Sequence, residues 1–397
     1  MLRSGSRSII YNIVTGTVPK FQYQISKLVW RLGFKYLGLF VIWSLLFGAS
    51  PICGVELGGY YENDALGLLK RTGGSVAGDM NRLRLKFDQK IGEGATIHLE
   101  PHYNLFIKSE NIPLSGVTDL DQLVWDRVYA KLYFPLVNLT VGKQRIAWGT
   151  GYIWNPTDVF NPFVLSFAVK EEETTNVEAV RFEAPIGNAG GIDGYLLTGK
   201  NWHETKKGMR AKTTVGRFDL ALSYVDLGSD SFQIGFDTSG DWLDAGVRGE
   251  IVMRSPAGSN AYLQSVWGCD YTLDNGVGLN AEYFFNGLGK KNKAEYDWPG
   301  LAAGNINQLG LDYLFFSANK IINELTQIRA SLIMNLDDLS CIIYPQYSRN
   351  ISQNVDLNLE GMWVAGPDGS EYCPTAALDP TGLAGSQMVL VRVIYSF

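Results

Sequence analysis

Residues 389–397 read VLVRVIYSF, and the chain stops at Phe397. Chain ends are ordinarily frayed and polar. Here Val389, Val391, Val393, Tyr395 and Phe397 fall on one face of an extended strand, while Arg392 and Ser396 fall on the other. An alternation that holds to the final residue marks the end of the chain as structure. Whether earlier segments repeat it decides the fold.

They do. In 81–89, Leu83, Leu85 and Phe87 oppose Arg82, Arg84, Lys86 and Asp88. In 96–105, Ile97, Leu99, Tyr103 and Leu105 oppose Thr96, His98, Glu100, His102 and Asn104. Leu309, Leu311, Tyr313 and Phe315 point together, and Val355, Leu357, Leu359 and Trp363 oppose Asp356, Asn358 and Glu360. About 18 such segments of about ten residues follow Gly54, with about 16 as the other possible count. Short connections are expected at 92–95, 136–138, 187–191, 217–219, 238–241, 273–276 and 352–354. Interleaved with them are long ones at 62–79, 108–124, 149–176, 287–307 and 366–386. Short turns at one end and longer loops at the other predict an all-β, transmembrane, antiparallel up-and-down β-barrel. A soluble sandwich also alternates, but with shorter strands.

Composition sets the remaining bounds. The chain has 397 residues, 46% hydrophobic and 12% aromatic, with a formal charge of -6. No run reaches the ~18 apolar residues of a spanning helix, which argues against a helical membrane protein and leaves an N-terminal anchor as the alternative reading of the leading segment. From Met1 to Val55 there is no acidic residue, but there are Arg3, Arg7, Lys20, Lys27, Arg31 and Lys35, followed by the apolar run 36–48. That pattern predicts a signal peptide over 1–54 with a long basic leading region, and a single barrel domain over 55–397. Removing six basic and no acidic residues takes the charge from -6 to -12, which argues against a nucleic-acid partner. Cys269, Cys341 and Cys373 then remain, widely spaced, without metal-type spacing or a haem-attachment motif. No cofactor and no metal are expected.

The alternating strands, the loop asymmetry, the leading segment and the strand ending in Phe397 together resemble Gram-negative outer-membrane β-barrel proteins, over the whole of 55–397. The resemblance implies that the Phe397 strand is read by the barrel-assembly machinery and closes the barrel against the first strand. It also implies an outer-membrane location among lipids and lipopolysaccharide, both termini on the periplasmic side, and a homotrimer as the assembly general porins often form. The wording of 144–162, "QRIAWGTGYIWNPTDVFNP", is similar to porin-like and exopolysaccharide-export-type barrels.

A barrel of this strand number leaves an aqueous channel, so inward side chains would set what passes. A charge facing lipid at mid-bilayer costs ~2–4 kcal/mol, which places Arg82, Arg84, Lys86, Arg127, Lys131, Arg181, Arg210 and Lys212 inward, joined by Lys143 and Arg145. Glu250, Glu282, Asp312, Asp356 and Glu360, with Arg248, Arg329 and Arg392, fall on later strands. A basic wall facing a more acidic one is the expectation. By resemblance to general porins, 149–176 is the third long loop and folds into the lumen, presenting Asp158, Glu171, Glu172 and Glu173 to that basic wall. Trp154, Phe160, Phe163 and Phe167 predict a packed loop. His98, Glu100 and His102 share a strand face at a spacing of roughly 6–7 Å, too wide for one ion, so they read as lumen lining.

The expected function is a porin passing small hydrophilic solutes. The alternative is a barrel sleeve around a multihaem cytochrome partner, which this chain would need because it cannot hold covalent haem itself. With three histidines and no nucleophile motif, an enzyme is not expected.

Overall fold

The computed structural model describes residues 55–71, 73–108, 122–161, 176–197, 199–379, 382 and 384–397. The expected signal peptide lies outside them, as do Phe163, Phe167 and Glu171 to Glu173. The described chain folds into eighteen strands. The first six are β1 (Glu56–Leu69), β2 (Ser75–Ile91), β3 (Ala95–Lys108), β4 (Gln122–Tyr133), β5 (Asn138–Arg145) and β6 (Asn176–Ile186). Then come β7 (Gly190–Leu197), β8 (Lys206–Val215), β9 (Phe218–Gly228), β10 (Ser231–Trp242), β11 (Ala245–Ser255) and β12 (Tyr262–Thr272). The last six are β13 (Val277–Asn286), β14 (Asp312–Asn323), β15 (Thr326–Asn335), β16 (Cys341–Ser352), β17 (Val355–Ala365) and β18 (Gln387–Ser396).

Every strand pairs antiparallel with its sequence neighbours, and β18 returns to β1, with Tyr60 opposite Ser396 and Leu69 opposite Gln387. Gly59 and Phe397 exchange two backbone hydrogen bonds of 3.0 Å. The sheet therefore has no free edge, which removes the unpaired backbone groups an open sheet would expose. Pro101 is tolerated inside β3 because a bulge at Glu100/Pro101 releases its missing donor from the ladder.

One rim carries turns of two to four residues, such as 92–94, 216–217, 243–244 and 353–354. The other carries the long connections, including 146–175, 287–311 and 366–386. Two expected connections are corrected. Most of 62–79 is strand, leaving a loop of 70–74. The turn expected at 238–241 lies inside β10, and the chain turns instead at Leu243 and Asp244, with Leu243 at a φ of 56°.

Burial is inverted relative to a water-soluble protein. On β9, Leu222 and Tyr224 are 59% and 52% exposed, whereas Ser223 between them is 2% exposed. Along the barrel the outward face is apolar, as at Phe236, Ile251, Trp267 and Val389, while Glu62, Gln233, Glu250 and Glu282 are enclosed. An apolar band around a closed cylinder is costly in water and favourable against hydrocarbon. This makes the fold a transmembrane barrel.

The inner face is layered. Toward the loop rim, the β12–β18 side presents Phe284, Tyr313, Phe315, Ile342, Val364 and Met388 to the interior. This corrects the expected parity of β14: Tyr313 and Phe315 face inward, and Asp312 faces out, where the Tyr283 hydroxyl donates to it at 2.5 Å. Lys143 shares the parity of the exposed Val141 rather than of the buried Thr140 and Gln144, and donates to the Trp125 carbonyl at 2.7 Å.

Candidate functional site

The expected lining residues sit in a lattice of cross-strand ion pairs. Arg82 on β2 lies 3.4 Å from Glu62 on β1 and donates to Asn104 on β3 at 2.8 Å. Arg84 donates to Glu100 at 2.7 Å and to Asp126 with its other arm. Lys86 and Arg127 approach the same Glu100 at 3.7 and 3.5 Å. His98 is held between Asp88 at 2.7 Å and Glu100 at 3.2 Å, its ring stacked on Tyr129. His102 faces Arg84 in register. Lys131 pairs with Glu183 at 3.2 Å, Arg181 with Asp193 at 2.6 Å and Arg210 with Asp237 at 2.5 Å. Lys212 lies exposed on the same face.

The expected wall of one sign is therefore an interleaved set of paired charges. The physical reason is desolvation: a guanidinium 1% exposed, as at Arg84, needs carboxylates beside it to remain in a lumen crowded by its neighbours. A similar cluster joins the barrel's closing seam. Arg392 on β18 donates to both oxygens of Asp64 on β1, at 2.7 and 3.0 Å, and approaches Glu360 on β17 at 3.5 Å.

Residues 146–161, which follow β5, form a tongue across the lumen. Its base closes where the Asn161 side chain donates to the Ile146 carbonyl at 2.9 Å. There Ile146 and Trp148, with Val159 and Phe160, pack on Ala179, Tyr195 and Val225 of the near wall. Its tip reaches the far wall, where Trp154, 1% exposed, stacks on Phe284 at 5.3 Å and meets Tyr313 at 6.0 Å.

Two carboxylates in the middle of far-wall strands grip the tongue. Glu250 on β11 accepts the Thr150 and Gly151 amides at 2.5 and 2.7 Å, the Thr157 amide at 3.1 Å and the Thr157 hydroxyl at 2.7 Å. Glu282 on β13 accepts the amides of Tyr152, Ile153 and Trp154 at 2.6, 3.1 and 2.9 Å. Gln233 on β10 donates to the carbonyls of Pro156 and Thr157. Charge-assisted bonds of this kind are about twice as strong as neutral ones. The grip needs a bare backbone: Gly149 has a φ of +101°, and a Cβ there would lie 2.6 Å from both Glu250 Oε1 and Thr157 Oγ1.

Asp158 is 6% exposed and turned into the tongue, where it accepts the Phe160 and Asn161 amides at 2.9 and 3.0 Å. Burial pushes its carboxyl up from the ordinary value. The described part of the loop thus meets acidic partners through its own amides, and does not present Asp158 to a basic wall.

A second segment, residues 366–379 after β17, also folds inward. Tyr372 and Cys373 join the core formed by Trp154, Phe284, Tyr313, Ile342 and Met388. Glu250 and Glu282 are expected from the sequence as inward charges on the more acidic wall, but neither their grip on the tongue nor the inward course of 366–379 carries a sequence signal of its own. The nearest signal was the bare-backbone run Trp148-Gly-Thr-Gly151, which suits close approach to another group.

No family model and no curated protein matches the chain. Among solved structures, a triple mutant of the Rhodopseudomonas blastica porin is similar at 11% identity with a TM-score of 0.46, covering 87% of this chain and 100% of that one. A lysine-bearing mutant of the same porin gives 12% identity and a TM-score of 0.45 over the same shares, 87% and 100%. A structure described as "Asymmetric conductivity of engineered proteins" gives 11% and 0.46, again over 87% and 100%. A likeness of that order carries no functional argument.

Proposed function

We propose that the protein is an outer-membrane channel through which small hydrophilic solutes diffuse passively, with the 146–161 tongue setting the size limit. The supporting observation is the tongue itself, held across the lumen at mid-strand height by Glu250 and Glu282. Because the lining charges are largely paired, ion selectivity should be weak. Glu171, Glu172 and Glu173 belong to the same loop and are the residues proposed to tip the balance toward cations. On this reading 1–54 is removed as a signal peptide, the termini and short turns face the periplasm, and the Phe397 strand is read by the assembly machinery. A homotrimer is the proposed assembly, and no catalytic role is assigned.

Purified, refolded protein in planar bilayers should give stepwise ohmic conductance, and liposomes containing it should admit small sugars but exclude larger oligosaccharides. Absence of conductance from protein shown to be folded and inserted would overturn the proposal. The cytochrome-sleeve alternative loses support because the tongue and residues 366–379 occupy interior space that a haem protein would need. Co-purification of a haem protein with a non-conducting barrel would restore it.

A further inference from the structure

Where the loop rim meets the inner apolar layer, four parts of the chain converge on one carboxylate. Glu371, in the 366–379 stretch, accepts the Tyr313 hydroxyl of β14 at 2.6 Å, the Asn335 amide of β15 at 2.7 Å and the Leu309 backbone amide of the 287–311 loop at 3.0 Å. Its own backbone N–H donates to Asp338, in the 336–340 loop, at 2.7 Å. Asp338 also accepts the Tyr296 hydroxyl at 3.0 Å. Glu371, Asp338 and Tyr372 are all nearly buried, and Cys373 beside them is 0% exposed.

The charged and titratable groups facing Glu371 are Asp338, Tyr296, Tyr313 and its neighbour Tyr372. No described Lys or Arg pairs with it. The loop's cationic contacts, Arg71 and Lys293, hold Asp368 instead. Ionising Glu371 therefore places a second negative charge beside Asp338 in an enclosed site with no counter-cation. Three hydrogen-bond donors offset part of that cost, whereas the neutral acid avoids it.

We propose that residues 366–379 form a proton-responsive flap, docked inside the lumen while Glu371 is protonated and loosened when it ionises. Burial raises the docked carboxyl to about 7, whereas a flap swung into water would titrate near the ordinary value of ~4.3. The docked form binds the proton more tightly, so docking is favoured in acid. Its advantage falls about tenfold per pH unit between the two values and levels off above the upper one.

Cys373 supplies a readout that needs no channel activity, although the consequence for flow rests on the channel reading. In folded protein carrying C53S, C269S and C341S, the rate at which a maleimide modifies Cys373 reports undocking. Dividing by the rate in an additional E371Q variant at the same pH cancels the thiol's own titration. The ratio should rise at least tenfold from pH 5 to pH 8. A flat ratio would overturn the flap. Should E371Q fail to fold, D338N provides the second arm. Removing the facing charge should move the wild-type transition to lower pH, and an unmoved transition would also overturn it. Paired conductance records separate the two readings. A flat ratio in a conducting protein refutes the flap alone, and a pH-dependent ratio in a non-conducting one refutes the channel alone.

Discussion

Replacing Glu250 by Ala tests whether the tongue narrows the lumen. The carboxylate accepts four hydrogen bonds from Thr150, Gly151 and Thr157. At ~1.5 kcal/mol for each bond to a charged acceptor, the lost grip is ~6 kcal/mol, and lumen water entering the gap would restore roughly half. The remaining ~3 kcal/mol corresponds to about a 100-fold rise in the undocked population of the tongue's middle. The base contacts of Trp148 and Phe160 stay in place, so the tongue should swing rather than unravel. E250A should therefore show higher single-channel conductance, more current noise and a larger sugar cut-off in liposome swelling. E250Q retains one acceptor oxygen and should fall between. E282A should act similarly through the tip, and because both sites hold one segment their effects should couple rather than add. If E250A and E282A proteins, shown folded by heat-modifiable gel mobility, match wild type in conductance, noise and cut-off, the tongue is not the restriction.

Three further substitutions probe other layers of the structure. R392A removes the partner of Asp64 at the closing seam and should cost ~3–5 kcal/mol, because it strands a buried carboxylate. A lower unfolding midpoint in urea would show it. L222R puts a cation on the outward face, where Leu222 is 59% exposed. It should destabilise the protein in lipid by ~2–4 kcal/mol, and an unchanged midpoint would argue against lipid contact there. W154A deletes the side chain stacked on Phe284, a loss of ~3–5 kcal/mol if the site does not collapse. That loss should appear as faster hydrogen exchange at 150–157, with little change in global unfolding.

The alternation carried most of the fold. Segments such as 389–397 and 81–89 have one apolar and one polar face, and a period of two cannot be satisfied by anything except a strand between two unlike media. It misled where both media are apolar: on β14, Tyr313 and Phe315 face an inner core, so the apolar face no longer marks the lipid. Thr238 to Asp241 have turn composition yet lie in β10, because the pairing of Trp242 with Ala245 extends the ladder past them. The expected basic wall failed for a different reason. Arg84 meets Glu100 and Asp126 from two other strands, and such pairing depends on register, which no single segment encodes. Glu250 and Glu282 were legible as inward charges, but their role depends on where a distant loop comes to rest.

Seventeen of the eighteen strand contacts join neighbours in sequence, and only the contact of β1 with β18 spans the chain. Hairpins can therefore zip locally and quickly, while the last contact must wait for Val389 to Ser396 to meet a strand whose residues lie more than three hundred positions earlier. Until then β1 offers a bare edge able to recruit another molecule's strand. The slow, error-prone step of this protein's biogenesis is thus the meeting of its two ends, and sequestering β1 during that interval would decide the yield of closed barrels.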